Sequence, residues 1–463
     1  MGKLFFYWNL EGFTLFDYLY RFESIERMGM TKKPLELNFE FDNALNILEK
    51  TDRNLFITGR AGTGKSTLLH LFRNTTRKKV VVLAPTGVAA LNAGGQTIHS
   101  FFNFPAKFFT PQQIRKVNDR KLFRAMEVLI IDEISMVRAD MLDNIDYFLR
   151  INREKPIPFG GVQLVFFGDL FQLPPVIANP EEKQYLQEEY DSPYFFSAKV
   201  LQRETSLEML ELKKVYRQEA RNFIRLLDAV RLKTIDFDDL EEFNERFDPD
   251  FKDTNYYITL SARNAVVDTI NEKELRIIPT EEFTYLAKVT GNFEPKQFPT
   301  ESALRLKLGA QVMFIRNDVK KDFVNGTIGK VIALEPFKIV VQIVQSDDTK
   351  RDIEVEKATW EILRYKASSD ETATVTANIE TEVAGSFEQY PLKLAWAITI
   401  HKSQGKTFDR VIVDLQGGAF EHGQTYVALS RCRTLAGIVL KHKLRPQDVI
   451  VDERIIDFYE SNV

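Results

Sequence analysis

Residues Gly59 to Ser66 combine the residue types that hold phosphate groups in proteins. They read Gly-Arg-Ala-Gly-Thr-Gly-Lys-Ser and match G-x-x-x-x-G-K-[ST], in which backbone N–H groups surround phosphate oxygens, the lysine neutralises them and the last hydroxyl binds Mg²⁺. An apolar strand precedes this segment and a helical pattern follows it, which argues against an unliganded glycine turn. We therefore predict that a nucleoside triphosphate is bound by Gly59, Arg60, Ala61, Gly62, Thr63, Gly64, Lys65 and Ser66.

Two carboxylates end the apolar segment Val128–Ile131. Asp132 is placed to hold Mg²⁺ together with Ser66, and Glu133 is placed to orient and deprotonate the attacking water. Acidic strand ends are common, so this interpretation depends on the phosphate-binding loop. A nucleotide switch that turns over slowly would not need Glu133. The pair therefore indicates a hydrolase in which Lys65 and Glu133 are catalytic.

The segment Gly168–Pro175 follows the next predicted strand, at the edge where ligand groups collect in open α/β sheets. Gln172 within it is placed to sense the γ-phosphate, and we include it among the catalytic candidates. The alternative is a loop that simply ends in two prolines.

Two segments of the first half are suited to nucleic acid. The first follows the strand Val80–Leu83 and opens a helix, so its free N–H groups would hold a phosphate; its residues are Thr86, Gly87 and Val88. The second, Gln96 to Phe104, interleaves aromatic rings with hydrogen-bonding groups, as single-strand-binding surfaces do. Ordinary core packing is the alternative for its rings. From this second segment we predict DNA contacts by Thr97, His99, Ser100 and Phe101.

The overall charge gives no sign of a polyanion partner. The chain has 463 residues, with 62 Lys and Arg against 66 Asp and Glu and a net charge of −4, so nucleic-acid binding has to come from local patches. Lys107 to Arg124 is such a patch, although a charge run is more often a solvated face. Cys432 is the one cysteine, which excludes a disulfide within the chain, a cysteine-ligated zinc site and an iron–sulfur cluster.

The sequence contains no recognisable membrane span or targeting segment. The single cysteine also suits a reducing compartment. We therefore expect a cytoplasmic, nucleoid-associated bacterial protein with no membrane partner.

Short apolar strands alternate with helical segments around these motifs. The clearest strands of the first half are predicted at Leu55–Thr58, Val80–Leu83, Val128–Ile131 and Gln163–Phe167. Such alternation predicts an α/β fold with a parallel sheet wrapped by helices. A second α/β block begins near Leu207. From about Thr284 to Gln389, short strands separated by turn signals predict a small antiparallel barrel inserted in that block.

In this order, the segments resemble the motifs of superfamily 1 helicases and are most similar to those of the petite-integration-frequency (PIF-type) DNA helicases. The similar segments include APTGVAA, GGQTIHSFF, IIDEISM, GDLFQLPPV, AITIHKSQGKTF and YVALSRCR. The resemblance implies two RecA-like P-loop domains, with a small wedge insertion in the first and a Src-homology-3-like β-barrel insertion in the second. The predicted divisions are an N-terminal extension at 1–34, the first domain at 35–203 with its wedge near 102–125, the second domain at 204–285 and 388–463, and the barrel at 286–387.

The resemblance also implies roles for residues of the second α/β block. Two arginines would reach the triphosphate across the domain interface as catalytic fingers, and these are Arg217 and Arg431. Two further residues would contact the nucleotide, and these are Gln404 and Gly405. Three would contact DNA, and these are Asn264, His401 and Lys402.

One position departs from the family's pattern. Its members usually carry Glu-Gln ahead of the first strand, where the glutamine reads adenine, and here the matching residues are Glu40 and Phe41. The sequence therefore predicts phosphate binding without predicting adenine specificity, and other nucleoside triphosphates become candidates.

The implied function is that of a 5′-to-3′ DNA helicase dependent on ATP and Mg²⁺. Its substrates would be single-stranded DNA, junctions, forks, RNA–DNA hybrids or quadruplexes in DNA repair, recombination, replication or telomere maintenance. A RecD-like subunit of a recombination complex is the nearest enzyme alternative. A slowly hydrolysing, nucleotide-gated DNA clamp is the alternative from another class. We expect a monomer in solution and leave dimerisation on DNA open.

Overall fold

The structure is a computed structural model that describes residues 38–462, apart from 106, 178, 204, 219, 253–255, 319–321, 345–348, 369–377 and 416–417. The predicted extension at 1–34 lies outside these residues. Within the described ranges the chain forms two parallel α/β sheets, and antiparallel strands are inserted within the second α/β unit.

The first α/β unit is built on six strands: β1 (Asn54–Gly59), β2 (Val80–Ala84), β3 (Gln96–Thr97), β4 (Val128–Ile131), β5 (Gln163–Phe167) and β6 (Leu207–Leu212). They pair in parallel in the order β3-β2-β4-β5-β1-β6. The strands β4 and β5 are buried along their whole length, as expected for apolar strands covered by helices on both faces.

The helices of this unit are α1 (Phe39–Lys50), α2 (Lys65–Thr75), α3 (Gly87–Ala93), α4 (Ile98–Phe102), α5 (Lys121–Ala125), α6 (Ala139–Arg153), α7 (Pro180–Glu189) and α8 (Lys199–Arg203). Helix α1 shows how they pack: its apolar residues recur at helical spacing and are buried on the sheet, namely Phe41, Ala44, Leu45, Ile47 and Leu48.

The boundary predicted after residue 203 is wrong. Leu207–Leu212 pairs in parallel with β1, with Leu207 opposite Asn54 and Leu212 opposite Gly59, so the first sheet continues to Leu212. This strand lies at the edge of the sheet, and all of it except Leu212 is partly exposed. Its mixed sequence therefore lacks the uninterrupted apolar run that marks the buried strands.

The second half contains β7 (Ile258–Ser261), β8 (Glu282–Leu286), β9 (Lys288–Gly291), β10 (Ala303–Lys307), β11 (Gln311–Phe314), β12 (Ile328–Glu335), β13 (Lys338–Val344), β14 (Lys350–Val355), β15 (Ala358–Ala367), β16 (Ile379–Gln389), β17 (Leu392–Leu394), β18 (Ala397–Thr399), β19 (Val411–Asp414) and β20 (Ile438–Leu440). Its helices are α9 (Arg221–Arg231), α10 (Phe237–Asn244), α11 (Asn264–Ile277), α12 (Ile400–Ser403), α13 (Gln424–Leu429) and α14 (Glu453–Glu460). None of the helices in the described ranges is both long and apolar enough to cross a membrane.

Parallel strands in the order β18-β7-β19-β20 form the second sheet. Between β7 and β18 the chain makes antiparallel sheets of orders β14-β13-β12-β11-β17, β15-β16-β9 and β10-β8. The prediction of an antiparallel insertion in the second α/β unit is therefore confirmed. Its strands run from Glu282 to Leu394, which is wider than the predicted 286–387.

The ribbon formed by β15 and β16 reaches back from the insertion to the first α/β unit. The Tyr365 hydroxyl accepts a hydrogen bond from the Val82 N–H at 3.0 Å, and the Tyr365 N–H donates to Gln96 Oε1 at 3.2 Å. The strand β3 is too short to pair with Val82, so Tyr365 satisfies a backbone donor that the sheet edge leaves open.

Candidate active site

The phosphate-binding loop lies between β1 and α2, against the second α/β unit. Gly62 and Gly64 have φ of +85° and +89°, a backbone region that favours glycine. A Cβ on Gly62 would lie 2.5 Å from Arg217 Cβ, so a larger residue would push the two units apart. The loop, Glu133, Gln172 and residues of the second unit line one cleft of about 890 Å³.

The Lys65 ammonium lies within this loop. Its Nζ donates to the Gly59 carbonyl at 2.6 Å and to the Arg60 carbonyl at 3.0 Å. Burial lowers the pKa of Lys65, and the charges of Asp169 and Glu133 oppose that shift. Phosphate oxygens would be stronger partners for this ammonium than the two neutral carbonyls.

Asp132 and Glu133 follow β4, at the same edge of the sheet as the loop after β1. Burial and the charge of Glu133 raise the pKa of Asp132 to about 7. Burial also raises the pKa of Glu133, against the charges of Lys65 and Arg431. Glu133 has a φ of +52°, which is uncommon for a residue with a Cβ and is found at functional turns.

The oxygens of Ser66 and Asp132 suit Mg²⁺, which prefers hard oxygen ligands and commonly takes only one or two from the protein. Within the described ranges no three His, Cys, Asp or Glu side chains are grouped closely enough to hold a metal by themselves. A magnesium ion here would therefore depend on phosphate and water for its other ligands.

Asp169 is a fully buried carboxylate beside this cleft, and the sequence analysis did not select it. It accepts hydrogen bonds from Arg231 Nε at 3.4 Å and Gln172 Nε2 at 3.2 Å. Although burial opposes its charge, Arg231 and Lys65 lower the pKa of Asp169. Gln172 lines the cleft, and its amide is fixed to this charged neighbour. Its role as a sensor of the γ-phosphate stays a prediction.

Tyr426 on α13 joins this carboxylate to the phosphate-binding loop. Its hydroxyl accepts a hydrogen bond from the Ala61 N–H at 3.0 Å and donates to Asp169 Oδ2 at 3.3 Å. Tyr426 is only 3% exposed, so both bonds are shielded from water. The second unit thereby holds the loop of the first through one phenol oxygen.

His422 and Gly423, which directly precede α13 in the second unit, contact the loop that carries Asp169. His422 Nε2 donates to the Leu170 carbonyl at 2.8 Å, while its Nδ1 accepts from the Asp452 N–H at 3.1 Å. A Cβ on Gly423 would lie 2.4 Å from the Gln172 carbonyl oxygen. The segment that precedes α13 therefore packs closely against the loop that carries Asp169 and Gln172.

Both predicted arginines line the cleft. Arg431 is 1% exposed, and its Nε donates to the Val427 carbonyl at 2.9 Å. Burial lowers the pKa of Arg431 and lowers that of Arg217 to about 9, where the charge of Arg431 also contributes. An anion bound between these two guanidinium groups would stabilise the charge of both.

Gln218, which the sequence analysis did not select, supports the turn that carries Arg431. Its Nε2 donates to the Ser430 carbonyl at 3.2 Å and to the Cys432 carbonyl at 3.0 Å. Arg217 Nη1 donates to the same Ser430 oxygen at 3.3 Å. Both predicted finger arginines are therefore fixed to one turn.

Gly405 lines the cleft, while Gln404 does not. The Gln404 Nε2 is buried and has no hydrogen-bond partner within the described ranges. The neighbouring Lys406 is also buried, and burial lowers its pKa to about 8, with Lys393 and Arg431 contributing. The predicted nucleotide contact of Gln404 stays a prediction.

The first predicted DNA segment lies at the start of α3. Thr86 caps this helix by accepting a hydrogen bond from the Ala89 N–H at 3.2 Å, and Val88 is 49% exposed. A Cβ on Gly87 would lie 3.3 Å from Gln297 Cγ, so the inserted domain lies over part of this helix start.

The second predicted DNA segment is divided between surface and core. Thr97 caps α4 by accepting from the Ser100 N–H at 3.2 Å, and Ser100 is exposed. Burial lowers the pKa of His99, with Arg138 and Lys296 contributing.

The prediction that Phe101 contacts DNA is wrong for this structure. Phe101 is 8% exposed and packs edge-on against Phe102, Phe123 and Tyr365, at centroid distances of 4.9, 5.5 and 5.9 Å. Aromatic rings bury more surface than other side chains, so these rings fill the core beneath the exposed polar residues.

The basic stretch near α5 is partly neutralised. Lys116, Arg120 and Arg124 all pair with Glu154, the residue that follows α6. Phe123 on the same stretch is buried in the core. The predicted wedge therefore has a packed base and a charged outer face.

The predicted DNA residues of the second unit follow neighbouring strands. Asn264 begins α11 after β7, and His401 and Lys402 lie on α12, directly after β18. The strands β7 and β18 are parallel and adjacent, so these residues share one edge of the sheet. Asn264 and Lys402 are exposed, and His401 Nε2 lies 3.6 Å from Glu421.

Comparison with known proteins agrees with this architecture. The profile of PIF1-like helicases matches residues 39–241, and that of the 2B domain of DNA helicase Pif1 matches residues 295–334. The ATP-dependent DNA helicase Pif1 of Bdellovibrio bacteriovorus is 31% identical over 441 residues, which cover 92% of this chain and 92% of that protein.

Two crystal structures of Pif1 from Bacteroides resemble the chain to different degrees. The complex with ADP-AlF4 is 39% identical, with a TM-score of 0.83 over 92% of this chain and 97% of that one. The complex with ssDNA is 41% identical, with a TM-score of 0.65 over the same 92% and 97%.

Two RecA-like sheets that share one cleft at the phosphate-binding loop define a two-domain P-loop protein of the helicase type. By sequence and by structure, this chain belongs to the PIF1-like helicase family. It spans 62% to 65% of the length of three curated eukaryotic relatives that it matches, from Emericella nidulans, Xenopus laevis and Mus musculus.

Proposed function

We propose that the chain is an ATP-dependent DNA helicase that moves 5′ to 3′ along single-stranded DNA. One observation carries the proposal: a single cleft is lined by Lys65 and Glu133 of the first unit and by Arg217 and Arg431 of the second. A triphosphate in this cleft would contact both units. Its hydrolysis would remove part of that contact, so turnover and movement would be coupled. Bacteroides Pif1 crystallised with ADP-AlF4 and with ssDNA supports the assignment.

Each cleft residue has a distinct task in this proposal. Lys65 would exchange two carbonyl partners for the β- and γ-phosphates. Glu133 would take a proton from the attacking water. Arg217 and Arg431 would stabilise negative charge on the transferred phosphoryl group.

Magnesium is part of the proposal. Ser66 and Asp132 would hold the ion, and it would neutralise charge on the phosphates. The raised pKa of Asp132 reflects a buried carboxylate that a cation would stabilise in its charged form.

Single-stranded DNA would bind at element ends on both units. Thr86 and Ser100 offer polar groups on the first unit, and Asn264 and Lys402 do so on the second. A strand held by both units would be pulled when their separation changes. The predicted wedge near 102–125 would part the duplex, because its base is packed and its outer face is exposed.

Unwinding of duplexes with a 5′ or a 3′ tail, measured beside DNA-stimulated ATP hydrolysis, tests the proposal. We expect only the 5′-tailed duplex to be unwound. Unwinding of the 3′-tailed duplex alone would contradict the polarity. Slow hydrolysis without unwinding would favour a nucleotide-gated clamp. Glu133→Gln, which keeps the side-chain size, is the control for contaminating activity.

The assembly on DNA is a separate part of the proposal. A structure of two coordinating Pif1 helicases at forked duplex DNA, 40% identical with a TM-score of 0.65, supports a dimer at forks. Light scattering with and without forked DNA would measure the change from a monomer.

A further inference from the structure

The cleft extends beyond the phosphate-binding loop to two aromatic side chains. A Cβ on Gly64 would lie 3.0 Å from Phe41 Cζ and 3.8 Å from Tyr216 Cε2. Phe41 is 3% exposed and Tyr216 is 48% exposed, and both line the cleft. Both rings therefore lie beside the phosphate-binding loop, where an aromatic face can stack on the base of a bound nucleotide.

The carboxylate and amide side chains of the cleft, which could pair with fixed atoms of a base, lie at its phosphate end. Among the described residues, Glu133 and Gln172 are the only carboxylate and amide side chains that line the cleft. Gln172 is bonded to Asp169, and the charges of Glu133 and Asp169 both act on Lys65. Glu133 and Gln172 therefore both lie at the phosphate end of the cleft.

The carboxylate of Glu40, the residue before Phe41, is already hydrogen-bonded within the protein. Its carboxylate accepts hydrogen bonds from the Lys213 N–H at 3.1 Å and from Asn38 Nδ2 at 3.3 Å. The cleft is also lined by the hydroxyls of Tyr216 and Thr67 and by the ammonium of Lys214, which lies 5.1 Å from the centroid of the Tyr216 ring. A hydroxyl donates or accepts as required, so it fits an amino group or a carbonyl equally.

Base discrimination requires fixed donors and acceptors, such as the amide that pairs with two atoms of adenine. Stacking on an aromatic ring tolerates any base, because every base has a π-face. We propose that this cleft binds and hydrolyses nucleoside triphosphates with little regard to the base, the triphosphate and ring contacts supplying the binding. This inference rests on the proposed function as a DNA-stimulated triphosphatase.

The test is to measure kcat/KM for ATP, GTP, CTP and UTP with saturating single-stranded DNA and the unmodified chain. We expect all four values within about fivefold of one another, because a site with a good bidentate base contact discriminates by about 5- to 150-fold. A preference for ATP above about fivefold would overturn the inference while leaving the proposed function intact. Absence of hydrolysis with all four would refute the proposed function and the inference with it.

Two variants of Tyr216 test the stacking itself. Tyr216→Ala should raise KM for all four triphosphates by a common factor of about 5 to 150, the range for loss of one base–aromatic contact. Tyr216→Phe, which keeps the ring and removes the hydroxyl, should leave the ratios among the four unchanged. A change for one base alone in Tyr216→Phe would show that the hydroxyl reads the base, which contradicts the inference.

Discussion

Replacing Tyr426 with Phe removes one oxygen atom from the contact between the two α/β units. The aromatic ring stays in a site that is 3% exposed, so packing is preserved. The Ala61 N–H loses its acceptor at 3.0 Å, and Asp169 loses a donor at 3.3 Å. The substitution therefore tests the bridge between the phosphate-binding loop and α13.

The expected effect follows from the cost of leaving a buried donor unpaired. That cost is about 1–3 kcal/mol, which corresponds to roughly 5- to 150-fold in the population of the arrangement that contains the bridge. Arg431 follows on the turn after the helix of Tyr426, so its placement depends on that arrangement. We expect DNA-stimulated kcat to fall by such a factor, while KM for ATP changes less because the phosphate-binding loop itself is intact.

Steady-state ATP hydrolysis with saturating single-stranded DNA measures both constants. Tyr190→Phe is the matched control: its hydroxyl also bonds to an aspartate, Asp143 at 2.9 Å, but within the first unit. It should retain kcat even if its melting temperature falls. If Tyr426→Phe keeps kcat within twofold of the unmodified protein, the bridge does not couple the units and the reasoning is refuted.

The other predictions concern the cleft and the DNA surface. Glu133→Gln should abolish phosphate release but keep binding of nucleotide and single-stranded DNA by fluorescence anisotropy; hydrolysis at a near-normal rate would show that another group is the base. Arg431→Ala should lower DNA-stimulated turnover by about 10³-fold, the scale of arginine fingers, and a loss below about tenfold would make Arg431 structural. Affinity for single-stranded DNA should fall with salt at a log–log slope of about −0.7 per neutralised phosphate, and a flat dependence would remove phosphate contacts from the proposal.

The sequence predicted those candidate functional residues that lie close together in the chain. The phosphate-binding loop, Asp132 and Glu133 could be predicted because each is a short motif at a strand end. The positions of Arg217 and Arg431 followed only from the family resemblance, because contact between two domains leaves no local pattern. Asp169 and Tyr426 were not predicted for the same reason, because their contact also joins the two domains.

The errors also have physical causes. Phe101 belongs to a run of rings whose periodicity fits a stacking surface and a core equally well. Leu207–Leu212 has the mixed exposure of an edge strand, so it was assigned to the wrong domain. A parallel partner that lies roughly 150 residues earlier in the chain, as β1 does for β6, is not visible in local sequence.

The interrupted second sheet has a consequence for synthesis on the ribosome. The first sheet can be completed once Leu212 has emerged, but β7 must wait for β18 and β19, which follow only after the antiparallel insertion. At about 5–20 residues per second, the roughly 135 residues between β7 and β18 take some 7–27 s to translate. During that time Ile258 and Leu260, both fully buried in the finished protein, lack the neighbouring strands of their sheet. Nascent chains at this stage should be the ones most dependent on chaperones.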